Sequence, residues 1–589
     1  MLLQLALLTP LVNACSESFH YVVVGGGTAG LVFANRLSAN GSFTVAVIEA
    51  GDSVLDDPAV KTVETFAPSL FTPVNWNYTS APQKYAGGGE LQYSAGRALG
   101  GTTTVNGMTY IRAEKVQIDA WEGLGNEGWN WDSMWEYYVQ QESFQVPSEE
   151  KASNGATFEE EYHGFEGEIP VGWSKYFPTQ NITAILRESS EAAGLPFNKD
   201  VNGGSMRGFS TWPFTLNATE NIRADAARNF YYPVAAERPN LHVFLNTTAT
   251  RILWDEESLS EPEVIARGVE VYTNTNETKT ICATKEVILS AGSLRSPALL
   301  EHSGVGNPSI LSPLGIKTVV DLPAVGSNLQ DQINIAMAYA SPTNWTGYLS
   351  TVSYLTAQDL FGPDLPLLRE QVYANLSAYA STIAADLAPN ATTPALQLAL
   401  LNLHADLIFA NNSTVPLAEI IWFAAGPGIA APFWNLLPFS RGEVHIQSSD
   451  PLQHPSIDPK FFQAPVDAYV QAAAAVALRR YYATAPLSAH VAGEQAPGPE
   501  LVPQDAGWRD ASWEEWFKAG YGTNNHPVGT CGMMAREKGG VVDARGRVYG
   551  VGNVRVGDAG VVPMQVSGHL SATVYAVAGR IADAVLGKW

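Results

Sequence analysis

The chain has 589 residues and a formal net charge of −24, with 34 Lys and Arg against 58 Asp and Glu. That length supports two large domains or one interleaved pair, and so acidic a balance argues against nucleic acid or an anionic membrane surface as partner. Hydrophobic residues at 46% provide for an ample core, and the three cysteines (Cys15, Cys282, Cys531) make no disulfide framework and no zinc or iron–sulfur pattern, leaving one bridge possible.

Residues 1–14 read as a signal peptide. The apolar run from Leu2 to Val12 is too short to span a bilayer, and Val12-Asn13-Ala14 supplies small residues for cleavage, although no Lys or Arg precedes it. N-x-[ST] sequons begin at Asn40, Asn77, Asn181, Asn217, Asn246, Asn276, Asn344, Asn375, Asn390, Asn411 and Asn412, which points to a secreted, N-glycosylated protein, extracellular or in the cell wall. No later stretch is long and apolar enough for a transmembrane helix.

The stretch from Tyr21 to Gly51 organises the rest. Tyr21-Val22-Val23-Val24 reads as a buried parallel strand, Leu31, Ala34 and Leu37 mark a helix, and Val45-Ala46-Val47-Ile48 is a second strand ending in Glu49. Between strand and helix lie Gly25, Gly27, Thr28, Ala29 and Gly30 in the G-x-G-x-x-G spacing. Gly25 permits the tight turn, Gly27 lets a pyrophosphate approach the backbone, and Gly30 lets helix and strand pack closely. The helix N-terminus directs free N–H groups at the phosphates. Glu49 is placed to accept from ribose hydroxyls and to repel a 2′-phosphate. This unit predicts dinucleotide binding without choosing between FAD and NAD.

Gly96 to Tyr110 (GRALGGTTTVNGMTY) is rich in glycine and hydroxyls, suited to a loop wrapped around the same ligand. Its G-R-x-L-G-G-T-T-x-V-N run resembles the first signature of the glucose–methanol–choline (GMC) flavin oxidoreductases. The run from Ala291 to Gly306 resembles the second. Gly125 to Trp129, Val325 to Gln332 and the C-terminal block agree with the family as well, so the resemblance covers nearly the whole mature chain and is nearest to the fungal glucose dehydrogenase and oxidase branch. It implies FAD as cofactor, with Arg97, Thr102, Asn106, Gly107, Thr109, Ala249 and Asp558 joining the glycine loop and Glu49 in holding it.

The resemblance also implies an α/β fold (α+β overall). A Rossmann-like FAD-binding domain (15–130, 239–335 and 521–589) is interleaved with a substrate domain (131–238 and 336–520) built on an antiparallel sheet flanked by helices. Helical patches read at Ile185 to Ala193 and Ala395 to Leu407, and strands at Glu419 to Phe423 and Gly442 to Ile446. Leu241 to Val271 alternates like strands that return the chain to the first domain. No metal site is expected.

Two histidines carry the expected chemistry, His526 in NNHPVGT and His569 in QVSGHL. Flavin oxidation of an alcohol needs a base near working pH for the hydroxyl proton, and imidazole suits it. The family pattern makes His526 the principal base and His569 its partner, with Asn524 beside them and Glu419 set against His569. In the glucose-active members an Arg stands four residues before the first catalytic histidine and binds sugar hydroxyls, and an aromatic residue directly precedes that histidine. Here those positions are Gly522 and Asn525. A polyol pocket without that guanidinium leaves hydroxyls unpaired, which favours a small, aromatic, furanic or secondary-metabolite alcohol or lactol over glucose. A glucose or sugar dehydrogenase or oxidase is the alternative, and a non-redox FAD-containing cyclase or lyase a more distant one. The electron acceptor is oxygen or a quinone-type mediator, and the protein is a monomer or homodimer.

Overall fold

The computed structural model describes residues 15–64, 68–178, 180–347 and 350–589. The leader expected at 1–14 lies outside the described residues.

The chain begins with strand β1 (Glu17–Val24), helix α1 (Thr28–Ser38) and strand β2 (Val45–Ile48). Val22, Val23 and all four residues of β2 are 2% exposed or less, as in a parallel sheet covered on both faces. The sheet runs in the order Leu241–Phe244, β2, β1, Thr278–Leu289, Ala266–Thr273, Thr247–Trp254, with Val554–Val556 also pairing along Thr278–Leu289. The first four strands and Val554–Val556 are parallel, and the Ala266–Thr273 and Thr247–Trp254 strands are antiparallel. Helix α1 packs between this sheet and the helix Leu570–Val585. Thus the returning segment at 241–271 is split: its first strand caps the parallel edge beyond β2, and its next two close the opposite side.

The second sheet is antiparallel, ordered Gly493–Ala496, Ile333–Trp345, Pro416–Asn435, Thr351–Thr356, Gly208–Thr211, with Gly522–Thr523 paired to Ile333–Trp345. Helices Leu365–Asp386 and Pro394–Phe409 pack on each other, and Pro465–Tyr482 lies on the long strand Pro416–Asn435. The strand read at Glu419 to Phe423 is the beginning of that longer one. Two large hydrophobic clusters, one around each sheet, make the core. The mixed fold agrees with the sequence reading.

Cys15 and Cys282 form a disulfide across 267 residues, with Cα atoms 5.6 Å apart, while Cys531 is a buried free thiol. By chain entropy, closing a loop of that length contributes up to about 5 kcal/mol. The sequence left this pairing open. It lies where β1 and Thr278–Leu289 run parallel, with Ser18 directly opposite Cys282.

Candidate active site

The cofactor cradle is an interlock of main chain. Gly25 has φ +103°, and a Cβ on Gly30 would lie 1.9 Å from the Gly25 carbonyl oxygen. The loop at 96–104 lies directly on the glycine turn. Gly100 donates its N–H to the Gly26 carbonyl at 2.8 Å, and a Cβ on Gly101 would lie 2.5 Å from the Gly27 Cα. Gly27 itself is open, since a Cβ there would meet only the Gly101 Cα at 3.5 Å. It is the N-cap of α1, and no side chain caps that end and no acid occupies its first turn. A donor-rich, uncapped helix end above an open glycine fits a dinucleotide pyrophosphate.

Glu49 is buried and accepts from Gly26 N–H at 2.9 Å and Gly51 N–H at 2.8 Å. Burial pushes its carboxyl up to about 7, against those two backbone donors. Glu49 therefore braces the glycine turn from below. Asp558 plays a similar bracing part elsewhere. It is buried, accepts from Gly292 N–H and the Ser296 hydroxyl of the second signature, and accepts from Gly560 N–H. Burial raises its pKa. Arg97 is exposed with its guanidinium 5.1 Å over Trp76, Thr102 is exposed, and Asn106 and Gly107 are half-buried. Thr109 is buried, and its carbonyl accepts from the Ser571 hydroxyl at 3.4 Å, in the first turn of the helix that follows His569. Ala249 sits buried in Thr247–Trp254 beyond Glu49, whose carbonyl accepts from Thr247 N–H. The structure thus brings the glycine turn, Glu49 and the 96–109 loop together. Sequence reasoning missed Arg223, which is fully buried and donates to the carbonyls of Val60, Thr103 and Asn106.

The four residues expected at the catalytic centre also converge, at the seam between the two sheets. His526 follows the short strand Gly522–Thr523, His569 is the N-cap of Leu570–Val585, and their rings meet edge to face with centroids 5.2 Å apart. Glu419, fully buried on Pro416–Asn435, places Oε1 2.9 Å from His569 Nε2. Trp434, from the far end of the same strand, presents its ring to His569 at 6.1 Å. Ser567 is fixed before His569 by two hydrogen bonds with Gln117.

His526 is mounted differently. Its N–H donates to buried Asp331 at 3.0 Å, and Asp331 also accepts from the Thr523 hydroxyl and Gln332 N–H. Burial pushes the Asp331 carboxyl up to about 6. The ring Nδ1 lies 2.9 Å from Gln332 Oε1 and 3.0 Å from Asn524 Nδ2. Burial first, and the neighbouring His569 second, hold the His526 pKa well below the ordinary histidine value. Asp331, Gln332 and Asn334 were not singled out in the sequence, although the first two lie inside the Val325 to Gln332 run. At Gly522 a Cβ would find only the Asn334 carbonyl oxygen, at 3.9 Å. Asn525 has φ +57°, and its side-chain oxygen accepts from Ser94 N–H.

An alcohol placed against this pair would meet one imidazole with neutral amide partners and another backed by a carboxylate. Among the described residues there is no cluster of His, Cys, Asp and Glu fit for a metal ion and no helix long and apolar enough to cross a membrane.

The GMC oxidoreductase N-terminal profile matches residues 19–334 and the C-terminal profile residues 438–578. The chain is 41% identical to a glucose oxidase-like protein, fsoC, of Humicola fuscoatra over 97% of this chain and 96% of that one. It is 36% identical to a glucose oxidase of Aspergillus carbonarius over 100% and 95%. The solved structure of a fungal aryl-alcohol oxidase superposes with a TM-score of 0.86 at 26% identity, covering 97% of this chain and 99% of that one.

Proposed function

The chain belongs to the GMC oxidoreductase family, an FAD-dependent CH–OH oxidoreductase, and we propose that its substrate is a small alcohol or lactol of aromatic, furanic or secondary-metabolite type rather than glucose. The cradle residues fit FAD, which when bound supplies the acceptor for the carbinol hydride. His526 takes the hydroxyl proton at Nε2, for which no partner occurs among the described residues, while Nδ1 faces Gln332. His569 steadies the same oxygen, its Nε2 engaged by Glu419. The carbinol thereby loses a hydride and a proton and becomes a carbonyl or lactone. Oxygen or a quinone-type mediator then takes the electrons.

The observation that carries the substrate reading is Gly522. Within 4 Å of where a Cβ would stand lies only the Asn334 main-chain carbonyl oxygen, at 3.9 Å, and the Asn334 amide is already bound to Asn524. A sugar's hydroxyls would go unpaired there, which costs orders of magnitude in specificity. The second reading, a sugar oxidase or dehydrogenase, is favoured by the full-length likeness to a glucose oxidase. Anaerobic stopped-flow of the holoenzyme against glucose, xylose, benzyl alcohol, furfuryl alcohol and lactols separates the two by loss of the oxidised flavin band. Reduction by the aromatic or lactol substrates alone is the expected result, and rapid reduction by glucose would overturn it. Secretion is part of the proposal: the Cys15–Cys282 bridge suits an oxidising compartment, and most sequon asparagines are exposed.

A further inference from the structure

We propose that Gln332 is a positioning residue that fixes the His526 tautomer, holding the proton on Nδ1 so that Nε2 carries the lone pair. This rests on the reading of His526 as base and says how the fold prepares it.

The chain of amides has one unambiguous end. Gln332 Nε2 donates to the Leu436 main-chain carbonyl at 3.0 Å, and a carbonyl can only accept. Gln332 therefore turns Oε1 toward His526. Asn524 Nδ2 lies 2.9 Å from that oxygen, and Asn524 Oδ1 accepts from Asn334 Nδ2 at 3.0 Å. Reversing Asn524 would set its oxygen against Gln332 Oε1, so the whole relay has one consistent direction.

His526 Nδ1 closes a triangle with these atoms, its sides 2.9 Å to Gln332 Oε1, 3.0 Å to Asn524 Nδ2, and 2.9 Å between those two. An amide NH2 spreads its hydrogens by about 120°, too wide to aim one at each of two atoms that subtend half that angle. Asn524 thus satisfies Gln332 Oε1 and leaves Nδ1 to find its own partner. A bare Nδ1 would oppose its lone pair to those of Oε1 at 2.9 Å. A protonated Nδ1 donates to the same oxygen instead, and Oε1 accepts twice.

Backbone pairing brings these residues together. Ile333 faces Thr523 and Asn334 faces Gly522 across the two strands, which carries Gln332 and Asn334 to either side of Asn524 and His526. Because its partners are amides, the ring gains no counter-charge. The titratable groups around it are His569 at 5.2 Å, Asp331 at its main-chain N–H and Glu419 behind His569. Asn524, expected from sequence at the catalytic centre, has its side chain committed to this relay.

The test uses the FAD-loaded enzyme labelled with ¹⁵N-histidine, together with the Gln332→Glu and Gln332→Met variants. In the native enzyme the His526 resonance, assigned by its loss in His526→Ala, is expected at the Nδ1–H tautomer's shifts. The Nε2–H pattern would overturn the proposal without reference to turnover. Gln332→Glu keeps the acceptor facing Nδ1, but its other oxygen can replace the Nε2 donor to Leu436 only while protonated, so kcat should fall where that carboxyl ionises while the His526 shifts stay those of the Nδ1–H tautomer. Gln332→Met removes the acceptor and should lower kcat about 10- to 100-fold with KM little changed. A role in packing alone predicts that Gln332→Met, close in shape, keeps the native kcat and the native His526 shifts, and that result overturns the proposal. If His526→Ala reduces its flavin at the native rate while the tautomer is as expected, the base assignment fails and the relay stands.

Discussion

The cradle is built from main chain, whereas the histidine pair is mounted on side chains. Around Gly25, Gly30 and Gly101 the contacts are backbone on backbone, and an added methyl would strike atoms that no rotamer can move. Around His526 and His569 the contacts are amides and carboxylates from other strands, each replaceable by a residue of similar shape. Within the second region the two rings differ again. His526 has neutral partners, and burial and His569 keep its pKa low, while His569 leans on a fully buried carboxylate. His526 keeps Nε2 free, among the described residues, to accept a proton, whereas the Nε2 of His569 is held by Glu419, so the asymmetry of mounting matches the proposed division of labour. Cofactor retention and catalytic rate should therefore be separable by mutation.

The largest expected effect is in the cradle. Gly30→Val sets a branched side chain where a single Cβ would already lie 1.9 Å from the Gly25 carbonyl oxygen, and no folded flavin-containing protein should be recovered. Gly27→Ala, with ordinary contact to Gly101, should fold but lose about tenfold or more in FAD affinity, about 1.4 kcal/mol per decade. Fluorescence titration of the apoprotein measures it, and native affinity would mean that no phosphate lies over Gly27.

His526→Ala should come next, leaving FAD bound at full stoichiometry while anaerobic flavin reduction slows by about 10³- to 10⁴-fold. Flavin loss in that variant would collapse the distinction between the two regions.

The smallest expected effect is on pH. A base with a lowered pKa stays unprotonated further into acid, so the acid limb of kcat/KM should lie below about 6.5, the ordinary imidazole value. A limb at or above that value would mean that the His526 ring is better solvated, or more strongly opposed by negative charge, than its partners imply.

The same contrast governs what was legible in the sequence. A positive-φ turn with backbone contact on two sides admits only glycine, so the glycine spacing, its flanking strands and Glu49 announced the cradle directly. The mixed fold followed from the family resemblance. Gln332 and Asn334 carried no such mark, because amides are common and these acquire meaning only when strand pairing sets Asn334 opposite Gly522 and within reach of Asn524, 190 residues away. Arg223 was silent for a similar reason, since it reaches the main-chain carbonyls of Val60, Thr103 and Asn106, and every residue has one. The Cys15–Cys282 pairing depended on the parallel register of two strands that spacing does not reveal.

The order in which strands join the first sheet bears on biosynthesis. Val287 to Leu289 acquire their outer neighbour only from Val554 to Val556. A ribosome exposes that part of the strand hundreds of residues before its partner exists, and an unpaired edge invites association with other chains. The nascent protein must pass this interval with the first sheet unfinished and the second sheet already taking shape. Truncation before residue 554 should therefore give an aggregating polypeptide rather than a smaller flavoprotein, and chaperone supply during synthesis becomes a determinant of yield.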